Sequence, residues 1–179
     1  MKNTLKVLSV RVFGIIAIVA VFTFSAATCS GGGGKTINSP EALKEYLDRQ
    51  PANSPDKPIN VSMGANELML PKIRNVLNSA GKYVSLNLTG SALTTIPEDS
   101  FKNCKTLVGV TIPKSVTRIE SDAFKNCDGL SSVTFQGTIS PDNFNDSAFP
   151  RVGLGTLRFH YLREGPGTYK IGGMGWEKQ

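Results

Sequence analysis

The sequence is poor in the residue types that most chemistry requires. Of its 179 residues, one is His, three are Cys and one is Trp. A lone His and scattered Cys cannot furnish the ligands of a closed zinc site, so no metal site is expected. They make a poor nucleophile and base as well. His160 falls in an alternating stretch that turns it outward, whereas Cys104 and Cys127 share apolar surroundings. No pair of carboxylates stands out as a general acid and base. Glu98-Asp99 and Glu120-Asp122 sit at turn starts, where carboxylates usually cap backbone N–H groups. No catalytic residue and no cofactor is therefore expected. Runs of one charge are also missing. The formal net charge is +6, but Lys2, Lys6 and Arg11 lie in the first 28 residues, which hold no acid, and the remainder carries only +3, scattered singly. That pattern argues against a nucleic-acid partner. Finally, no hydrophobic run is long enough to cross a bilayer. The longest, residues 12–24, has thirteen residues, against about twenty for a spanning helix.

What the chain has instead is one pattern written nearly twice and begun a third time, across residues 84–135. Ile96, Phe101, Asn103, Cys104 and Leu107 return 23 residues later as Ile119, Phe124, Asn126, Cys127 and Leu130. Val110-Thr111-Ile112 returns as Val133-Thr134-Phe135, and Leu86-Asn87-Leu88 fills the same slot 24 residues earlier. A fixed period in the twenties marks a stacked-repeat protein. Each unit has an alternating stretch, such as residues 108–112, whose apolar side chains share one strand face. A second part, Ser121-Asp122-Ala123-Phe124-Lys125-Asn126-Cys127, reads as a single helical turn capped by Ser121 or Asp122, driving Phe124 and Cys127 inward. Burying an apolar side chain contributes about 1.5–3 kcal/mol, while ordering the backbone costs roughly 1–2 kcal/mol per residue. One unit cannot fold alone and must stack. The expected class is α/β: a short solenoid with a parallel sheet on one face and helical turns on the other. Cys104 and Cys127 occupy one slot on successive coils, about 5 Å apart. That separation admits a disulfide, while parallel side chains suit a buried thiol ladder.

In chain order, residues 1–28 read as an export signal with a basic start, an apolar run and the small residues Ser25-Ala26-Ala27-Thr28 before Cys29. This resembles a bacterial lipoprotein lipobox, which implies that Cys29 carries the lipid. The alternative is an ordinary signal cut near Ala27. Residues 29–35 form a Gly-rich tether, whose Gly34-Lys35-Thr36 only superficially echoes the end of a phosphate-binding loop. Residues 36–82 read as an N-terminal cap. Ser39-Pro40-Glu41 starts a helix with Ala42, Leu43, Tyr46 and Leu47 as its apolar stripe. Residues 59–63 form a strand, and residues 67–79 a second helix stopped by Gly81. Residues 83–161 hold the repeats, the last strand being Leu157-Arg158-Phe159-His160-Tyr161. Residues 162–179 form a C-terminal β cap with a loose end, in which a hairpin turns at Gly172-Gly173 and Trp176 seals the core.

The string Val110-Thr111-Ile112-Pro113-Lys114-Ser115-Val116-Thr117-Arg118-Ile119, then Asp122-Ala123-Phe124-Lys125-Asn126-Cys127-Asp128-Gly129-Leu130, resembles the BspA-type (Treponema-type) leucine-rich repeat. Neighbouring units depart from it: Leu88-Thr89 and Phe135-Gln136 stand where Ile-Pro is usual, and no Cys follows Ala148-Phe149. The resemblance implies a leucine-rich-repeat solenoid that binds rather than catalyses. It implies a protein ligand, such as a host surface or matrix protein, on the concave sheet face, with membrane attachment through the N-terminal lipid. The implied location is the cell envelope, at the outer membrane or cell surface. Alternation places Asn87, Gly109, Thr111, Ser132, Thr134, Arg158 and His160 on that face, which could equally be plain solvated sheet. The alternative role is a periplasmic-side structural lipoprotein, or a reduced paralogue of a larger adhesin with no ligand of its own.

Overall fold

A computed structural model describes residues 36–153 and 155–179. The expected export signal, Cys29 and the expected tether lie outside the described residues. Helix α1 (Pro40–Asp48) begins where the Ser39-Pro40-Glu41 signature predicts, with Ser39 Oγ accepting the Ala42 N–H at 3.1 Å. Its buried stripe is narrower than expected. Leu43 and Leu47 are fully buried, while Ala42 and Tyr46 are exposed. Strand β1 (Ile59–Ser62) follows. A 3₁₀ turn capped by Asn66 then leads into α2 (Leu70–Ala80), which carries Pro71 in its first turn and ends on Gly81 at φ 59°. Leu70, Ile73 and Leu77 lie on its inner face.

From α2 the chain lays down β2 (Val84–Asn87), β3 (Thr95–Ile96), β4 (Leu107–Ile112), β5 (Arg118–Ile119) and β6 (Ser132–Phe135). Strands β1, β2, β4 and β6 are parallel neighbours in that order. Leu86 pairs with Val110 and Val110 with Val133, so the chain advances one strand for each repeat of the sequence pattern. A second, narrow ladder pairs β3 with β5, and an isolated bridge extends it from Ile119 to Phe144.

The turn side differs from expectation. Residues 98–103 and 121–126 form tight turns, not helical turns. Asp99, Asn103, Asp122 and Asn126 take left-handed φ values of 57°, 61°, 55° and 58°. Their short polar side chains tolerate that region better than most. The physical reason lies in where the backbone bonds go. The Phe101 N–H donates to the Ala123 carbonyl at 2.7 Å, Asn103 to Lys125 at 2.8 Å and Phe124 to Ala148 at 2.7 Å. A helical turn would spend those N–H groups on itself, whereas this arrangement knits each coil to the next.

The expected strand over residues 157–161 is also corrected. That segment is helix α3 (Leu157–Glu164), with Thr156 Oγ1 accepting the Phe159 N–H at 3.3 Å. Leu157 and Tyr161, one turn apart, face inward. The place beside β6 is taken by β7 (Gly167–Gly172), which runs antiparallel and leads into β8 (Gly175–Lys178) through a turn at Gly173-Met174, one residue past the expected Gly172-Gly173. The full sheet order is β1-β2-β4-β6-β7-β8. The hairpin is therefore part of the sheet and not a loose end, with Tyr169 and Trp176 fully buried.

The core runs the length of the stack. Phe101, Phe124 and Phe149 form a column of near-parallel rings, with centroids 5.1 Å and 4.6 Å apart. Tyr161 packs on Phe135 at 4.6 Å and Phe144 at 5.3 Å. Its hydroxyl accepts from the Ile139 N–H and donates to the Gly137 carbonyl, which resolves the polarity of a buried phenol. Cys104 and Cys127 are buried free thiols. The Cys127 Sγ–H donates to the Phe101 carbonyl at 3.0 Å, the acceptor already used by the Cys104 N–H.

Candidate functional site

Strand alternation sends the core residues of the large sheet to one face and leaves a polar set on the other. Register then aligns that set into two rows. One row runs Ser62, Asn87, Thr111, Thr134, Thr168. The other runs Asn60, Ser85, Gly109, Ser132, Lys170, Glu177. Neighbouring members sit on strands about 4.8 Å apart. Asn87, Thr111, Ser132 and Thr134, four residues expected on this face, are half-buried there. Gly109 sits between Ser85 and Ser132, and a Cβ added to it would lie 2.6 Å from Ser85 Oγ.

Arg158 and His160 do not join them. Both ride on α3 and not on a sheet strand. The Arg158 guanidinium donates to Asp146 Oδ1 at 3.1 Å and to the Pro141 carbonyl at 2.8 Å, so it ties α3 to the preceding loop. His160 Nδ1 stands 4.0 Å from Glu164 Oε1. Cys29, expected to carry lipid, lies outside the described residues. Six residues of the rows were missed: Asn60, Ser62, Ser85, Thr168, Lys170 and Glu177. Ser85 alternates with Val84 and Leu86 and was readable from that alone. Ser62 was readable in the same way from β1. Thr168 and Lys170 depend on β7 joining β6 antiparallel, which no repeat spacing reports.

The face is built for hydrogen bonding. The Thr134 and Thr168 hydroxyls lie 2.9 Å apart across the parallel-to-antiparallel junction. Asn87 Oδ1 accepts both the Thr89 N–H at 2.9 Å and the Thr89 hydroxyl at 2.5 Å, and Gln136 Oε1 lies 3.3 Å from that hydroxyl, over the intervening coil. From β1 to β6 the two rows hold no ionisable group; charge enters only with Lys170 and Glu177. The array therefore offers hydroxyl and amide groups but no base to activate one as a nucleophile.

Ionisable groups elsewhere are engaged in structure. Burial pushes the Cys104 and Cys127 thiols up to about 12, which leaves them protonated and inert at neutral pH. The backbone N–H of Thr94 holds the Glu67 carboxyl below its ordinary range and fastens β3 to the start of α2. A bond from Lys125 likewise lowers Asp122, and Lys102 Nζ sits 2.9 Å from Asp99 and 3.6 Å from Asp122, linking successive turns. An open polar hollow of about 270 Å³ lies beside β5. Its Glu120 accepts from the Glu98 N–H and from Arg118, and its Glu98 accepts from Ser121. Among the described residues, no group of three or more His, Cys, Asp or Glu could hold a metal ion. No helix among them is long and apolar enough to cross a membrane.

Residues 74–160 match a family model described as BspA type Leucine rich repeat region (6 copies). This span is a BspA-type leucine-rich-repeat region. The matched span starts within α2, takes in β2 through β6, and ends within α3. No curated protein and no solved structure matches the chain. BspA-type repeats suggest protein–protein interaction, and nothing shows an enzymatic activity.

Proposed function

We propose that this chain is an envelope-anchored leucine-rich-repeat protein that binds a protein partner on the polar face of its six-stranded sheet. In this reading residues 83–161 form a short solenoid, residues 36–82 cover one end, and the β7–β8 hairpin covers the other. Residues 1–28 direct export, Cys29 receives the lipid, and residues 29–35 act as the tether. The observation that carries it is the pair of polar rows, Asn87-Thr111-Thr134 and Ser85-Gly109-Ser132, aligned by register on successive coils. The apolar core does not require hydroxyls there, and such faces present extended surfaces to partners. Arg158 and His160 fall outside the proposed surface. With three repeat strands the area is small, so binding gains from clustering at a membrane.

The test compares capture of extracellular proteins by the purified chain with capture by Thr111→Arg/Thr134→Arg, which crowds the face but leaves the core untouched. Lys105→Glu/Lys125→Glu, on the turn side, serves as control. A partner lost with the first variant and kept with the second supports the proposal; one kept by both overturns it. Protease shaving of intact cells tests exposure, and labelling with a fatty acid tests Cys29. Only three coils repeat along the sheet, and this favours the second reading, a reduced paralogue with no ligand of its own, which predicts no specific capture by any version.

A further inference from the structure

Helix α3 is apolar on two sides. Leu157 and Tyr161 face the core, while Phe159 and Leu162 lie on the opposite flank, Phe159 being 51% exposed. A helix that only closed a core would place polar groups there. The β7–β8 turn adds Met174, 72% exposed, and Ile171 is exposed beside it. Among the described residues, these four make up most of the exposed large hydrophobic side chains.

Gly153 and Gly155 bring the turn and the helix to one corner. A Cβ on Gly153 would strike the Met174 backbone, and one on Gly155 would lie 3.5 Å from Phe159 Cδ1. Two cations stand at the end of α3 beside this corner. Arg163 lies over the Phe159 ring, 5.4 Å from its centroid, and Lys178 Nζ donates to the Glu164 carbonyl at the end of α3.

We infer that this corner, centred on Phe159, Leu162 and Met174, seats on an anionic lipid surface. Protruding apolar groups framed by Arg and Lys are the chemistry of interfacial membrane contact: the apolar groups enter the headgroup boundary and the cations meet lipid phosphates. A second copy of the chain is disfavoured because the same positive patch would face itself. Side chains on a helix flank and a hairpin turn protrude and do not enclose, so they suit lipid better than the anchors of an acidic protein. The inference does not depend on acylation at Cys29.

The test uses the mature chain from residue 29 with Cys29→Ser, so that no acyl chain is present. Every core residue lies between Leu43 and Trp176, so this form keeps the whole core. Its sedimentation with phosphatidylcholine vesicles is compared with its sedimentation with vesicles rich in phosphatidylglycerol. Binding is expected only to the latter and to weaken in high salt. Phe159→Ser/Leu162→Ser should reduce it about tenfold or more, and Arg163→Gln about fivefold. Native Trp176 emission confirms folding, and Met174→Ser, at an exposed turn, gives an independent loss. No binding by the parent chain, or binding indifferent to these variants, overturns the inference. So does self-association abolished by the same substitutions, or capture of an acidic protein in place of vesicles. Capture by the sheet face uses different residues, and the two proposals fail separately.

Discussion

Replacing Phe124 with Ala would open a hole in the middle of the ring column. Phe124 is fully buried, with Phe101 at 5.1 Å on one side and Phe149 at 4.6 Å on the other. A buried Phe→Ala change costs about 3–5 kcal/mol, depending on how far the site collapses. Collapse is hindered here because backbone bonds from Phe101 to Ala123 and from Phe124 to Ala148 hold the coils apart on the turn side. The upper half of that range is therefore expected, equivalent to a fall in Tm of roughly 8–20 °C for a domain of this size. Phe124→Leu keeps most of the volume but loses two stacked pairs worth about 0.5–1.5 kcal/mol each, so it should cost about 1–3 kcal/mol. Phe101→Ala, with one ring neighbour in the column, should fall below Phe124→Ala. Urea unfolding followed by Trp176 emission and far-ultraviolet circular dichroism measures all three. A loss under about 1 kcal/mol for Phe124→Ala would refute the packing argument. So would a shift seen by dichroism but not by Trp176, because the coils would then be uncoupled from the end of the sheet.

The thiols predict alkaline behaviour. Each has a folded-state value near 12 against an ordinary 9.0, so above pH 9 the unfolded chain releases protons that the folded chain retains. Their contribution is intact below pH 9 and declines from 9 towards 12; Cys104→Ala/Cys127→Ala should be less stable at neutral pH yet flatter across that window. The native protein should resist alkylation at both positions, and its unreduced mass should show no loss of two hydrogens. A Cβ on Gly129 would run into the Lys105 carbonyl, whereas one on Gly109 meets only the Ser85 hydroxyl, which can rotate. Gly129→Ala should therefore cost about 1–3 kcal/mol and Gly109→Ala clearly less by thermal unfolding; equal costs would contradict the coil spacing. Asn126 sits at φ 58°, so Asn126→Val should cost at least about 1–2 kcal/mol more than Asn126→Gly. Equal melting of the two would argue against the left-handed turn.

Much of this architecture is legible in the residues. The 23-residue return of Ile96, Phe101, Cys104 and Leu107 is the step from one strand to the next, and Ser39-Pro40-Glu41 and Gly81 mark helix ends. The segment at residues 157–161 misleads for a physical reason. Leu157, Phe159 and Tyr161 alternate as a strand would, but Leu157 and Tyr161 are also one helical turn apart, and Phe159 is apolar while facing out. Thr156, an N-cap, was the available sign of a helix. The turns mislead differently: capping residues and i, i+3 apolar spacing fit a helical turn, while the choice of the next coil as hydrogen-bond partner is a tertiary fact. On the polar face, Asn87, Thr111, Ser132 and Thr134 follow from alternation alone. Thr168 and Lys170 do not, because nothing local shows that a closing hairpin will pair with β6.

The most direct test of the stacked column is nuclear Overhauser contact between aromatic rings in the folded protein. Cross-peaks are predicted between Phe101 and Phe124 and between Phe124 and Phe149, with none between Phe101 and Phe149 and all three rings shielded from water. Absence of the first two, or rings that exchange magnetisation freely with solvent, would contradict it.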